Sequence, residues 1–361
     1  MNRNRVCSSF WKGKRVLLTG HTGFKGAWAA AWLTKLGAEV TGIALAPEQD
    51  HSLIRCLEEQ LNIQSHILDI RDASKLDKIV KKAKPEVVLH MAAQALVRRS
   101  YQFPLETYET NVTGTLNLLL SLRETENLKA VLVVTSDKVY QNNEEGRPFV
   151  ETDILGGDDP YSSSKAACEI ATASMAKSYY ADKSIRIATA RAGNVIGGGD
   201  FSEDRLIPDI WRAANKGDAV TLRYPDATRP WQHVLESISG YLIYLEALFA
   251  DEDNALPTAL NFGPAEQEVL TVGEIAFNVQ KAFGINSDWQ RVKSGEKLLA
   301  EKAHLALDAS LAEKVLGWKA TWNSRETLEK TVDWYRRYSQ GDDMKTVTDR
   351  QIEEFEGSLD D

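Results

Sequence analysis

Short apolar runs alternate with longer mixed segments along the first half of the chain, and that rhythm is the first structural signal. "RVLLTG" predicts a buried strand over 15–19, and "GFKGAWAAAWLTKLGA" a helix closed near Gly37. "EVTGIAL" predicts a second strand and "SHILDI" a third. A helix over about 72–83 leads to Pro85 and the strand "EVVLHMA". A long helix over roughly 104–126 precedes the strand "KAVLVVTS", and another over about 160–181 precedes "IRIATARAG". Strands alternating with helices require right-handed crossovers and a parallel sheet covered on both faces. The expected class is α/β, a doubly wound parallel sheet of the Rossmann type.

After about residue 191 the rhythm changes. The glycine-rich "GNVIGGGD" is followed by shorter elements and loops carrying Pro208, Pro225, Pro230, Pro257 and Pro264. This predicts a nucleotide-binding domain over 1–190 and a smaller mixed α/β substrate domain over 191–361. The apolar helix over 236–250 is expected to return to the first domain, so the boundary is interleaved. The acidic tail "DRQIEEFEGSLDD" reads as a solvated end.

Composition narrows the function classes. The 361 residues are 43% hydrophobic and 26% charged, as in a soluble globular protein, with a net charge of −9. A nucleic-acid binder needs clustered Lys and Arg, so that class is disfavoured; anionic small molecules are not. Three cysteines without a CxxC pattern point to a reducing compartment and no zinc site. The six histidines lack metal-ligand spacing, so no metal is expected. The polar start is no signal peptide, and no apolar run is long enough for a bilayer, which makes the cytoplasm the expected location and excludes a membrane partner.

Two constellations carry chemistry. "TGHTGFKG" sets Gly20, Gly23 and Gly26 between the first strand and the first helix. Glycines there let the backbone turn sharply and approach a pyrophosphate, with the helix N-terminus facing the anion. At the end of the second strand, where an acid commonly holds the adenosine ribose, stand Ala44 and Ala46, and no arginine replaces it; NAD is the expected cofactor, with weak ribose anchoring. Asp69 and Ile70, after the third strand, are candidates to flank the adenine, and a helix N-cap is the other reading of Asp69. "YSSSK" puts Tyr161 and Lys165 four apart on one helix face. A phenol of pKa about 10 becomes a useful base only when positive charge lowers it, which a lysine one turn away supplies.

With Ser136 on the preceding strand end, these motifs resemble the extended short-chain dehydrogenase/reductase family. "HMAAQALVRRSY", "NVTGT", "TSDKVY", "RAGNVIGGGD" and "RPWQHV" follow in that family's order. Within it, the His-Thr-Gly-Phe-Lys-Gly loop, the Ser-Asp-Lys triplet and "RPWQHV" are most similar to sugar-nucleotide 4,6-dehydratases that act on CDP-D-glucose. The resemblance implies that Thr22, Phe24 and Lys25 line the cofactor phosphates, with Ala92 and Ala93 along the dinucleotide and Gln94 close to the sugar. It implies that Asn111 supports the central sheet, that Arg191 and Asn194 meet the substrate, and that Arg223 and Arg229 approach the nucleotide. Against this, Arg191 and Asn194 can be turn residues, the two arginines surface charges, and Trp231 core packing. The resemblance also implies a homodimer paired through the helices near 104–126 and 160–181, with a tetramer as the other arrangement.

The implied chemistry is internal redox with net loss of water, in the making of deoxysugars for O-antigen. Tyr161 takes the C4 hydroxyl proton as hydride leaves C4, the 4-ketone acidifies C5, water departs from C6, and hydride returns to C6. Asp137 is then the acid for the C6 hydroxyl, and Ser136 binds the C4 oxygen. Lys138 is either the C5 base, which requires desolvation since only about one solvated lysine in a few thousand is neutral at pH 7, or a charged stabiliser of the enolate. An epimerase or reductase of the same family shares Tyr161 and Lys165 and has no use for Asp137 and Lys138. A non-catalytic dinucleotide sensor needs none of these four.

Overall fold

The computed structural model describes residues 4–181, 183–228, 231–264, 270–285, 288–292 and 305–359. Its centre is a sheet of seven parallel strands. Six of them are β1 (Arg15–Thr19), β2 (Glu39–Ala44), β3 (Ile63–Ile67), β4 (Val87–His90), β5 (Ala130–Val134) and β6 (Arg186–Ala192). The spatial order is the strand Ala259–Phe262, then β6, β5, β4, β1, β2 and β3. The chain therefore winds outward from β1 to β3, then crosses to β4 on the other side of β1. That reversal opens a crevice at the carboxyl ends of β1 and β4, where open α/β sheets bind ligands. All residues of β4 and β5 are buried, which explains their unbroken apolar runs.

The helix Phe24–Lys35 is covered on all sides: every residue from Gly26 to Leu33 is buried. The helices Val234–Ala250 and Met344–Ser358 both pack on it. The first of these also lies against β5 and β6, and the strand Ala259–Phe262 pairs with β6. Part of the chain after residue 191 thus builds the sheet layer. Outside that layer, the helices Leu206–Lys216 and Val272–Ala282 pack together. Two short strand pairs lie there as well, Val195–Ile196 with Gln232–His233 and Thr221–Leu222 with Gln290–Arg291.

Two expectations need correction. The acidic tail is not a solvated end. Met344–Ser358 is a helix whose Ile352 and Phe355 are fully buried, and Trp32 donates to Glu356 at 2.8 Å. Its apolar residues recur at helical spacing beneath the charges, so one face is core, and a buried phenylalanine there is worth about 3–5 kcal/mol against alanine. The long helix over 104–126 is also not uniform. It runs as Pro104–Tyr108, a π-helical segment Glu109–Gly114, and Thr115–Ser121. Such wide turns insert one extra residue and often mark functional positions; this one holds the buried Asn111.

Candidate active site

The crevice is a cleft of about 400 Å³. The residues predicted for the dinucleotide all line it: Gly20, Thr22, Gly23, Phe24, Lys25 and Gly26 from the loop, Asp69 and Ile70 beyond β3, and Ala92 and Ala93 beyond β4. Ser136, Asp137, Lys138, Tyr161, Lys165, Gln94 and Asn194 line it too.

The glycines are there for close approach. Gly20 sits at φ +79°, and a Cβ on it would stand 2.7 Å from the Ala92 nitrogen. A Cβ on Gly26 would fall 2.0 Å from the Gly20 carbonyl oxygen, so only glycine lets the helix start against the turn. Gly23 is the N-cap of Phe24–Lys35, and no side chain caps that helix. Its first-turn N–H groups are thereby left for an anion, which is what a pyrophosphate needs. The switch point is locked from below. The Thr19 hydroxyl accepts from the backbone N–H groups of Met91 and Ala92, both at 3.1 Å, and pairs with His90 Nδ1 at 2.6 Å. His90 Nε2 meets Thr115 at 2.9 Å, and burial holds this imidazole neutral, its pKa drawn down to about 3.

Tyr161 and Lys165 stand in the first turns of Pro160–Tyr179, which Asp159 caps by accepting from Ser162 N at 3.0 Å. Asn111 ties that helix to the β4 loop. It donates to Gln94 O at 3.0 Å and Ser164 Oγ at 2.9 Å, and accepts from Gln94 N at 2.8 Å. Lys165 Nζ donates to Val134 O at 3.1 Å, and burial lowers its pKa. Burial pushes the Tyr161 phenol up, while a hydrogen bond with Ser136 and the charge of Arg205 pull it down, with a net rise. On the facing side, Ser136 Oγ donates to Asp137 Oδ1 at 3.0 Å and accepts from Lys138 N at 3.2 Å. Asp137 is buried, and its Oδ2 has no hydrogen-bond partner. Lys138 Nζ stands 3.6 Å from Asp137 Oδ1 with 30% of its side chain exposed.

This arrangement places a base, an acid and two lysines around one space that a dinucleotide can enter from the glycine loop. Residues 17–331 match the GDP-mannose 4,6 dehydratase family. The chain belongs to that family. It is 42% identical over 355 residues to the CDP-glucose 4,6-dehydratase of Salmonella typhimurium, covering 97% of this chain and 98% of the relative. Among solved structures it resembles the dTDP-glucose 4,6-dehydratase of Bacillus anthracis in complex with NAD, with TM-score 0.75 and 21% identity over 89% of this chain and 96% of that one. The UDP-glucose 4-epimerase of Thermotoga maritima with UDP-glucose gives TM-score 0.77 and 22% identity over 90% and 99%. At such identities the two structures show the shared fold.

Within this dehydratase-family fold, several predicted residues take other places. Arg191 does not line the cleft; it forks onto Glu169, Nε to Oε1 at 2.9 Å and Nη2 to Oε2 at 2.8 Å, with both side chains buried. Arg191 Nη1 also donates to the Tyr140 hydroxyl at 2.7 Å. β6 thus places its side chain in the core against Glu169, outside the cleft lining. Arg223 pairs with Asp204 at 2.9 Å outside the cleft lining, and Asp204 also takes Arg98 at 2.8 Å. Arg229 lies outside the described residues. Gln94 lines the cleft, yet its amide donates to Leu96 O at 3.1 Å and Thr107 Oγ1 at 2.9 Å, closing its own loop. Asp69 is held by Arg71 at 2.6 Å, which lowers its pKa, and the next helix is capped by Asp72 instead. Trp231 is buried in the core.

Lys25 is the largest departure. Its ammonium lies 5.9 Å from the centre of the Tyr241 ring, within electrostatic reach of Asp137, Arg205 and Lys165. Arg205 is the residue that sequence reasoning missed. It precedes the helix Leu206–Lys216, donates to Ala95 O at 3.2 Å, lines the cleft, and its charge acts on Tyr161. It belongs to no spaced motif, and only the fold brings it to the phenol.

Proposed function

We propose that this protein is a hydro-lyase that converts CDP-D-glucose to CDP-4-keto-6-deoxy-D-glucose with NAD as a resident cofactor. The observation that carries this reading is the union of Asp137 and Lys138 with the Tyr161–Lys165 pair in one cleft, in a chain matched nearly end to end by a CDP-glucose 4,6-dehydratase. An epimerase has no task for the added acid and lysine.

The uncapped first turn of Phe24–Lys35 and the close-packed Gly20 and Gly26 fit a pyrophosphate, and Lys165 and Tyr161 fit the reacting end. Bound there, NAD supplies the acceptor for the C4 hydride and the later donor to C6. Tyr161 removes the C4 hydroxyl proton, with Lys165 and Arg205 as the positive charges that favour its phenolate. Ser136 steadies the C4 oxygen. Asp137 can protonate the departing hydroxyl only when neutral, and Lys138 can take the C5 proton only when neutral. Their contact at 3.6 Å puts the two groups side by side for the one elimination.

The remaining readings extend from this one. The part after residue 191 that lies outside the sheet layer, with the helices Leu206–Lys216 and Val272–Ala282, is assigned to gripping the nucleotide end. A homodimer is supported by exposed apolar side chains on the two helices flanking the cleft, among them Leu105, Leu120, Ile170 and Tyr179; burying such side chains in a four-helix contact stabilises a pair. No described helix is long and apolar enough to cross a membrane, and the reading places the enzyme in the cytoplasm, in deoxysugar and O-antigen biosynthesis.

The test is a panel of CDP-, dTDP-, UDP- and GDP-glucose with a trace of NAD, with products identified by mass and NMR. Catalytic loss of one water from CDP-glucose, without NADH accumulating in step with product, is the expected result. An epimerised or reduced sugar that keeps its water would sink the reading.

A further inference from the structure

The segment 200–205 lines one side of the cleft through Asp200, Phe201, Ser202 and Arg205, and it is pinned at both ends. At its start Phe201 is buried against Trp211 and Trp334, and Arg212 donates to the carbonyls of Phe201 and Ser202, both at 3.0 Å. At its end Asp204 accepts from two arginines of different elements. Arg98 reaches it at 2.8 Å from the helix Val97–Gln102, which follows β4 and packs on Pro160–Tyr179. Arg223 reaches it at 2.9 Å from just beyond Thr221–Leu222.

Asp204 itself stands at φ +59°, a left-handed conformation that aspartate and asparagine accept more readily than most residues. Neither it nor its two partners line the cleft. What the clasp fixes is the backbone one residue before Arg205, whose guanidinium enters the cleft, donates to Ala95 O and acts on Tyr161. Exposed ion pairs add little to stability, so a clasp on a side chain 39% exposed is better explained by geometry.

The charged and titratable groups around Tyr161 come from several elements. Lys165 and Asp159 stand on or at the start of its own helix, Asp137 and Lys138 follow β5, and Tyr241 comes from Val234–Ala250. Lys25 comes from the glycine loop, and Arg99 of Val97–Gln102 is taken by Glu48 and Glu106. Lys165 is fixed by Val134 O, whereas Arg205 hangs on a segment whose course the clasp decides.

We propose that Asp204 is a positioning residue for the first hydride transfer: clasped by Arg98 and Arg223, it holds Arg205 where its charge favours the Tyr161 phenolate. This rests on the reading that Tyr161 is the C4 base. The clasp ties the outer helices to the β4 side of the cleft, so Arg205 is in place only when the two parts are held together.

The test is single-turnover NADH formation by the full-length protein with NAD and CDP-glucose, followed by rapid-mixing absorbance from pH 6 to 9.5. Asp204→Asn keeps the backbone conformation and removes the charge. Losing a well-placed cation raises the phenol, so the limb along which the rate climbs should move up by about one pH unit. That is a loss of about tenfold at pH 7 that closes towards pH 9.5, with KM for CDP-glucose within about twofold of the parent. Arg98→Gln cuts the clasp from the other partner and should move the limb the same way. In an Arg205→Gln background, Asp204→Asn should add no further shift. A rate lowered by one factor at every pH, a full additional shift in that background, or a tenfold rise in KM with the limb unmoved would overturn the proposal. If Tyr161→Phe keeps the parent rate and limb, the base reading fails and takes this proposal with it. If Tyr161→Phe abolishes the transfer while Asp204→Asn keeps the parent profile, only the proposal falls.

Discussion

Removing the Arg191 guanidinium separates a structural arginine from a substrate-binding one. In Arg191→Met, Glu169 keeps its charge, with only the hydroxyls of Thr135 at 2.5 Å and Thr189 at 2.7 Å left as donors. The parent pair is bidentate, at 2.8 and 2.9 Å, and both side chains are at most 5% exposed. Breaking a buried pair by deleting one partner costs about 3–5 kcal/mol, because the other charge stays out of water. For a chain of this size the urea slope is about 3 kcal/mol/M or more, so the midpoint should fall by about 1 M. Adding Glu169→Gln removes the stranded charge and should restore most of that loss. Thr135 also hangs on Glu169, so kcat should drop as the Ser136–Lys138 turn loosens, while KM for the nucleotide sugar stays within about twofold of the parent. Urea unfolding followed by tryptophan fluorescence, with steady-state kinetics at low temperature, reads both quantities. A tenfold rise in KM with an unchanged urea midpoint would refute the reasoning and return Arg191 to the substrate.

Tyr161→Phe should reduce both single-turnover NADH formation and net dehydration by about a hundredfold or more; near-normal NADH formation would reject Tyr161 as the C4 base. Asp137→Asn and Lys138→Met should each still form enzyme-bound NADH once per site and then stall before water leaves. In deuterated solvent, Lys138→Met should lose C5 exchange and Asp137→Asn retain it; normal exchange and turnover in Lys138→Met would make the lysine a bystander. Burial raises Glu246 to about 7, while its Oε1 accepts from Trp11 Nε1 at 2.6 Å and Cys7 N at 2.8 Å. The folded state then holds a proton that the unfolded chain releases near pH 4.5, so stability should fall as pH rises from about 4.5 to 7 and level off above. Glu246→Gln keeps the acceptor and should flatten that part of the stability profile; an unchanged slope would count against it.

The sheet was legible because its strands are local. Each apolar run in β1, β4 and β5 states its own burial, and the alternation with helices leaves a parallel, doubly wound sheet with only a handful of strand orders. The glycine loop was legible for the same reason, since Gly23 and Gly26 report contacts with Gly20 a few residues away, although Gly20 itself is held by Ala92. What escaped was whatever depends on a distant partner. The tail reads as acidic, and nothing within it announces that Trp32 and Trp322 wait to cover Phe355. The π turn at Glu109–Gly114 ends on a glycine packed against a distant residue: a Cβ on Gly114 would meet Ile70 Cδ1 at 2.6 Å.

The site divides along the same line, and the division explains why side chains were misplaced when positions were not. A spacing such as that of Tyr161 and Lys165 fixes two Cα atoms on one helix face, and both side chains then reach the cleft. A motif position fixes only a Cα. Lys25 belongs to the phosphate loop by backbone and to the catalytic end by its long side chain, so its sequence neighbours misreport its charge. Arg191 ends a strand that points at the cleft, yet alternation along β6 turns its side chain to Glu169 in the core. The catalytic end thereby receives positive charge from Lys25 and Arg205 that no motif announces, while the arginine that a motif did announce is spent on holding the loop of Ser136 and Asp137 in place. Charge at this site is therefore a property of the fold, assembled from a loop, two helices and a strand end, and its effects belong in cofactor affinity and loop stability as much as in turnover.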